Sequence, residues 1–339
     1  MSRCTSGFLH TQLYRIGFCI LGLRVVYLGS GEFGIDCLNA LAASDNTLEF
    51  IVTQPPNPAG RGRQPAPTPV ARWAKDHSIP LLETDDVNKS DVIEKIASYK
   101  PDLLVVIAFG QKVGVELTNL PPKGAINVHA SLLPKYRGAA PINRAIINGE
   151  TETGVSIITL SQKMDAGQVL AESRTDIGPD ETAGRLHDRL AKLSAPLLVR
   201  TIEQIENGTA VYTEQEHKKA TCAHKLKKSE GFLDFNEPAE VLERKIRGLW
   251  PWPGAAANYI SKKTNKSVRV NIALTKVVQT SNPTDLEVGT LDENLNVICG
   301  CDALKILKIK PAGSPLMDFK DFTNGRQTKP GDKFTKIQE

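Results

Sequence analysis

The sequence predicts a two-part molecule, a doubly wound domain on a parallel α/β sheet followed by a small β-barrel. Between residues 24 and 207 short, β-branched apolar runs alternate with amphipathic stretches, the pattern of successive βαβ units. After Gly208 the alternation gives way to a polar connector, one short helix and several short strands bounded by turn residues. At 339 residues the chain is long enough for two domains of ordinary size.

The elements follow in order. "MSRCTSGFLHTQLYRIGFCILG" holds two arginines and no acid, a composition shared by organelle transit peptides and disordered extensions. Because "LRVVYLGSG" already begins a complete first strand, residues 1–23 are expected to be a disordered leader. The apolar run from Phe18 to Leu23 is too short to span a bilayer, so no membrane association is expected. Candidate strands of the first domain, residues 24–207, are "RVVYL", "EFIVT", "DLLVVIAF", "AINVH" and "GVSIITL". The clearest helix is the last, where Leu186, Leu190, Leu193, Leu197 and Ile205 recur near helical spacing, with Asp180 as the expected cap and Gly208 as the stop. His187 on it reads as a surface or packing residue. Residues 208–229 form a basic linker. The barrel, residues 230–339, opens with the helix "PAEVLERKIRGL" and continues through "SVRVNIAL", "LNVICG" and "ALKILKIKPAG". Trp250 and Trp252, set between prolines, are expected to anchor the barrel's packing.

The first strand runs into Gly29-Ser30-Gly31-Glu32-Phe33-Gly34, which matches the dinucleotide fingerprint. A dinucleotide site also needs an acidic residue at the end of the second strand. Here that strand carries Glu49 at its start and runs into "QPPNPAGRGRQ", so the glycines read as a tight strand-to-helix turn and no NAD is expected.

Charge and cysteine usage narrow the class further. Forty per cent hydrophobic and 24 per cent charged residues is a soluble globular composition. The net charge of +4 divides into +2 over residues 1–23, −3 over 24–207 and +5 from residue 208 onward. That basic excess suits an acidic partner as well as an ordinary lysine-rich surface. The six cysteines show no Cys-x-x-Cys spacing and the six histidines no H-E-x-x-H, so neither zinc nor a disulfide framework is expected.

The most informative stretch is "GAINVHASLLPKYRGAAPI", residues 124–142. Side chains alternate along a strand, so Asn127 and His129 emerge on one face at its carboxyl end, where open α/β sheets bind ligands. Residues Ser131 to Pro134 then form a turn whose backbone can lie against a flat ligand. A carboxylate, Asp165 of "MDAGQVL", could reach the same pocket. Asn, His and Asp with no activated Ser or Cys suit a transfer in which the substrate brings the nucleophile. Asn127 would hold a developing oxyanion, His129 would stabilise it or move a proton, and Asp165 would orient His129 or accept the amine proton. A strand-end Asn-x-His that merely satisfies loop backbone fits the residues too.

"NVHASLLPKYRGAAPI" with "MDAGQVL" resembles the formyltransferase family that uses 10-formyltetrahydrofolate. The resemblance implies a Rossmann-like domain and an OB-like barrel, with Asn127, His129 and Asp165 as the catalytic trio. It implies folate contacts from Ser131, Leu132, Leu133 and Pro134, with Phe109 and Gly110 at the end of "VVIAFG" lining the pterin pocket. "TQPPNPAGRGRQPAPTPV" is similar to the inserted acceptor-stem loop of the members that act on methionyl-tRNA, with Arg61 and Arg63 at its basic positions. One departure is "PPN", residues 55–57, where such members commonly carry "PDR". "HKLKKSE", "IRGLWPWPG" and "LKILKIKPAG" extend the likeness from about residue 24 to 333, and Lys225, Lys227 and Lys228 are implied tRNA contacts. The implied reaction is formylation of initiator methionyl-tRNA by a cytoplasmic monomer without metal or NAD, in an organelle matrix if the leader is a transit peptide. The nearest rival is a formyltransferase acting on a nucleotide-linked amino sugar; a purine-pathway enzyme would normally end near residue 210.

Overall fold

The computed structural model describes residues 22–59, 64–280 and 286–338. Residues 1–21 of the expected leader, with Cys4 and Cys19, lie outside the described residues, as do Arg61 and Arg63.

Seven strands build the first sheet: β1 (Arg24–Gly29), β2 (Thr47–Thr53), β3 (Leu81–Glu83), β4 (Leu103–Ile107), β5 (Ala125–His129), β6 (Glu152–Thr159) and β7 (Val169–Asp176). Their order is β7-β6-β5-β4-β1-β2-β3. The first five in sequence run parallel, but β6 pairs antiparallel with β5 and β7 antiparallel with β6. The expectation of a parallel sheet therefore holds except at one edge. Apolar patterning reports burial and not strand direction, and the short return between β6 and β7 has no room for a crossover helix. Central strands are buried on both faces, and two apolar layers flank the sheet.

One layer is held by α5 (Ala183–Glu206), whose buried stripe includes Leu186, Leu190, Leu198 and Ile202, and by α1 (Ile35–Ala42). Thr182 rather than Asp180 caps α5: its hydroxyl accepts from the Arg185 amide, because the first helical residue is Ala183 and a cap serves the amide three residues on. Gly208, at φ +69°, follows the helix's end as expected. The ring of His187 packs edge-on against Phe33, 5.4 Å between centroids.

The glycine turn after β1 is a packing device. A side chain on Gly34 would lie 1.9 Å from the Tyr27 hydroxyl, and one on Gly29 2.5 Å from the same ring. Tyr27 is fully buried and its hydroxyl has no hydrogen-bond partner among the described residues. Three of the turn's amides are already committed, since Ser30 and Gly31 both donate to the Ala108 carbonyl and Gly34 donates to Gly31.

The Pro-rich segment after β2 folds as a two-stranded ribbon, Asn57–Ala59 paired antiparallel with Gln64–Ala66.

The second sheet comprises β8 (Ala255–Ile260), β9 (Ser267–Val278), β10 (Val297–Ile298), β11 (Ala303–Pro311) and β12 (Lys333–Thr335), with the two-residue strand Met317–Asp318 paired on β11. Neighbours pair antiparallel in the order β10-β11-β9-β8-β12. Bridges from Thr290 to Lys333 and from Leu291 to Val297 join the two edges into a small barrel around Tyr259, Ile272, Leu304 and Phe334. The expected helix is α6 (Ala239–Leu249), and α4 (Pro141–Ile147) of the first sheet packs on it. Gly248 permits that approach, because a side chain there would meet Ile147 at 2.5 Å, and the Asn143 carboxamide donates to the Gly248 carbonyl at 2.7 Å. Trp250 is half-buried, but Trp252 is 54% exposed and anchors nothing. An aromatic between prolines says only that the chain turns there.

Candidate active site

Period-two alternation on β5 turns Ile126 and Val128 into the core and sets Asn127 and His129 on the opposite face. Asn127 is half-buried, and its carboxamide makes no hydrogen bond among the described residues. His129 is 6% exposed. Its Nε2 lies 2.9 Å from the Tyr136 carbonyl, and because a carbonyl only accepts, Nε2 carries the ring proton. Nδ1 is the nitrogen left for chemistry, and it faces the Asp165 carboxylate at 3.7 Å.

Asp165 sits in the β6–β7 connection with φ +49°, a left-handed conformation that aspartate tolerates better than most residues. The Gly138 amide donates to its Oδ2 at 2.8 Å. The three residues singled out from the sequence thus come together, two on one strand end and one brought in from the next connection.

The turn Ser131–Pro134 keeps its shape through its own polar groups. The Ser131 hydroxyl, fully buried, donates to the Lys135 carbonyl at 2.7 Å. Ser156 bridges the turn, accepting from the Leu133 amide and donating to the Ser131 carbonyl. The Ser131 and Leu133 side chains therefore face the interior, while Leu132 and Pro134 are both half-buried. Phe109 is 3% exposed and packs in the core, so its ring does not line a pocket. Gly110 is exposed at φ +79°, and Ala108 beside it is exposed at φ +45°. Since Val106 pairs with Asn127, the exposed Ala108 and Gly110 follow the strand end next to His129. A side chain at Gly110 would lie 2.7 Å from the Gln54 amide nitrogen.

Lys225, Lys227 and Lys228 are exposed around Leu226, which is buried against Ala140 and Leu249. They stand on the seam between the two sheets, where Arg144 and Glu230 form an ion pair at 2.6 Å. Among the described residues no group of His, Cys, Asp and Glu could hold a metal, and no helix is long and apolar enough to cross a membrane.

Sequence reasoning missed the connector. Thr213 exchanges two backbone hydrogen bonds with Val169, and Cys222–Ala223 pairs with Arg137–Gly138. Between them Gln215 is buried, and its side-chain nitrogen donates to the carbonyls of Asp165 and Gly167 at 2.9 and 2.6 Å. An isolated glutamine in a polar stretch has no periodicity to mark it.

Comparison with known proteins agrees with the fold. The family model described as formyl transferase matches residues 23–202, and that of the formyl transferase C-terminal domain matches residues 225–327. The methionyl-tRNA formyltransferase of Citrifermentans bemidjiense is 38% identical over 310 residues, 91% of this chain and 96% of that protein. That of Agathobacter rectalis is 37% identical over 317 residues, 92% of this chain and 100% of that protein. Among solved structures, a sugar 3N-formyl transferase crystallised with dTDP and 5-N-formyl-THF superposes with a TM-score of 0.60 at 14% identity, covering 86% of this chain and 99% of that one, a likeness of fold. With both family models matched and full-length relatives well above 30% identity, this chain belongs to the formyltransferase family.

Proposed function

We propose that this enzyme transfers a formyl group from 10-formyltetrahydrofolate to the α-amino group of initiator methionyl-tRNA. The observation that carries the chemistry is the strand end itself: an unpartnered Asn127 carboxamide beside a His129 whose only free nitrogen faces Asp165. The names of the full-length relatives supply the substrate.

In this reading 10-formyltetrahydrofolate supplies the formyl carbonyl, and the methionyl amine attacks its carbon. The Asn127 amide donates to the formyl oxygen as negative charge develops there. His129 Nδ1 takes the proton that the attacking nitrogen loses, and the Asp165 carboxylate stabilises the resulting imidazolium. The same proton passes to the departing nitrogen as the old C–N bond breaks. The exposed Ala108 and Gly110 and the half-buried Leu132 and Pro134 form the surface suited to a flat pterin. Ser131 and Leu133 support it from within.

The tRNA reading draws on charge and placement. We assign residues 24–207 to the catalytic domain, 208–229 to the connector and 230–339 to the tRNA-binding barrel, with the +5 charge from residue 208 onward favouring phosphates. Arg61 and Arg63, which lie in the sequence between Ala59 and Gln64, meet the acceptor stem, and Lys225, Lys227 and Lys228 extend the basic surface along the seam. The enzyme is a monomer and works in the bacterial cytoplasm or, if residues 1–23 are a transit peptide, in an organelle matrix.

The test is mass measurement of the aminoacyl end of initiator methionyl-tRNA after incubation with 10-formyltetrahydrofolate. Formyl-methionine is expected, and unmodified methionine beside a formylated nucleotide-linked amino sugar sinks the tRNA reading. Arg61→Ala is expected to reduce turnover of methionyl-tRNA and to flatten the salt dependence of tRNA binding by roughly one unit of slope, with folate binding unchanged. An unchanged turnover and slope removes the ribbon from tRNA recognition.

A further inference from the structure

We propose that Gln215 and Arg137 are positioning residues for Asp165, an inference that rests on the assignment of Asp165 to formyl transfer. The bonds around Asp165 form a closed ring. Its carboxylate is held by the main-chain amide of Gly138, and its main-chain carbonyl is held by the side chain of Gln215. Gln215 Oε1 in turn accepts from the guanidinium of Arg137, Nε at 3.1 Å and Nη2 at 2.6 Å, and Arg137 is the residue before Gly138. Three consecutive residues therefore set His129 and Asp165: the Tyr136 carbonyl orients His129, the Arg137 side chain grips Gln215, and the Gly138 amide fixes the carboxylate.

The orientation of the Gln215 amide is not free. Its nitrogen must face the two carbonyls of Asp165 and Gly167, because its oxygen faces a guanidinium that only donates. Arg137 is 7% exposed, and no carboxylate lies within ion-pair distance of it among the described residues. Its charge acts on Gln215 and on His217 Nδ1, at 2.9 Å, and polarises the Gln215 amide so that both N–H groups become better donors. The loop's other bonds are mostly to itself and to its flanking strand ends: the Ser161 hydroxyl donates to the Lys163 carbonyl, and the Gln168 amide to the Thr159 hydroxyl. Residues 161–164 are exposed, and Asp165 has a left-handed backbone that few other residues adopt. Without Gln215 the loop can relax, and the carboxylate drifts from His129 Nδ1.

The experiment uses the full-length enzyme with methionyl-tRNA and 10-formyltetrahydrofolate. Gln215→Met removes donor and acceptor at nearly constant volume, whereas Gln215→Glu keeps the acceptor for Arg137 and loses both donors. Both are expected to lower kcat by about 10- to 100-fold, the cost of a small misplacement of a reacting group, with KM for the formyl donor within about threefold. Arg137→Lys, which keeps the charge without the planar fork, is expected to lose less than Gln215→Met. The decisive measurement is single-turnover formylation in a cycle with Asp165→Asn. A residue acting through Asp165 adds no loss once that carboxylate is gone, so Asp165→Asn with Gln215→Glu should match Asp165→Asn alone. Losses that multiply, or full turnover in Gln215→Glu, overturn the assignment of Gln215. Full turnover in Arg137→Lys removes Arg137 from it. If Gln215→Met fails to fold, Gln215→Glu decides. An Asp165→Asn enzyme that is itself fully active overturns instead the chemistry assigned under the proposed function.

Discussion

Two strand ends of the first sheet, those of β1 and β5, treat their polar groups in opposite ways. After β1 the sequence Gly29–Gly34 has the outline of a phosphate cradle, yet its Ser30 and Gly31 amides donate to Ala108, its Ser30 hydroxyl donates to Phe109, and the space over Gly29 and Gly34 is filled by Tyr27. After β5 nothing in the outline is glycine-rich. The Asn127 carboxamide there is left unpartnered among the described residues and one nitrogen of His129 is left free, while Tyr136 and Gly138 complete the geometry from behind. The lesson is that a ligand site is recognised by the groups a turn leaves over, not by the residues that form it.

The sharpest way to break this comparison is at β5. His129→Ala and Asp165→Asn are expected to lose about 10² to 10³ in kcat while the formyl donor binds as before, because each group acts as charge moves and not in ground-state binding. Steady-state kinetics beside calorimetric titration of the donor read this directly, and a variant with normal turnover takes its residue out of the mechanism.

The matching change after β1 should touch stability alone. Gly34→Ala places a methyl group against the Tyr27 hydroxyl and is expected to destabilise the enzyme by about 1 to 3 kcal/mol in denaturant unfolding. Tyr27→Phe removes a buried hydroxyl that has no partner, so it should be neutral or slightly stabilising by itself and should recover part of the Gly34→Ala loss. If Gly34→Ala instead abolishes donor binding with stability intact, the turn is a ligand site after all.

The smallest effect is at the seam between the two sheets. The hydrogen bond from Arg144 holds the Glu230 carboxyl below its ordinary range, against the opposing effect of partial burial. A carboxylate with a depressed folded-state pKa contributes stability that is fully present above its unfolded value and is lost as pH falls through the folded one. Glu230→Gln should therefore flatten the acid limb of the stability curve below about pH 4.3 and leave turnover at neutral pH unchanged. An acid limb identical to that of the parent enzyme shows that the pair contributes nothing to stability.

What could be read from the sequence follows from which signals are periodic. Asn127 and His129 were legible because a strand alternates faces, and the five central strands because they are continuous apolar runs. Asp165 was legible through the resemblance of "MDAGQVL", since no spacing ties a loop carboxylate to a distant strand. The direction of β6 and β7 was not legible, because alternation is the same read either way. The cap of α5 was misplaced to Asp180 because two oxygen-bearing residues compete for that end and only geometry selects Thr182. Phe109 and Ser131 lie near the site but face the interior. Gln215 had no signal at all.

The ribbon that follows β2 is a lever with a hydroxyl pivot. Thr53, at its entry, and Thr68, at its exit, are joined side chain to side chain at 2.8 Å, Thr53 also bonds Ser30, and Thr68 caps the next helix through the Ala71 amide. The three paired residues on each side make an arm about 10 Å long, so a tilt of roughly 0.1 radian at the pivot swings its end by about 1 Å. Angular play is thus decided at the root, among three hydroxyls, and amplified outward along the paired arm.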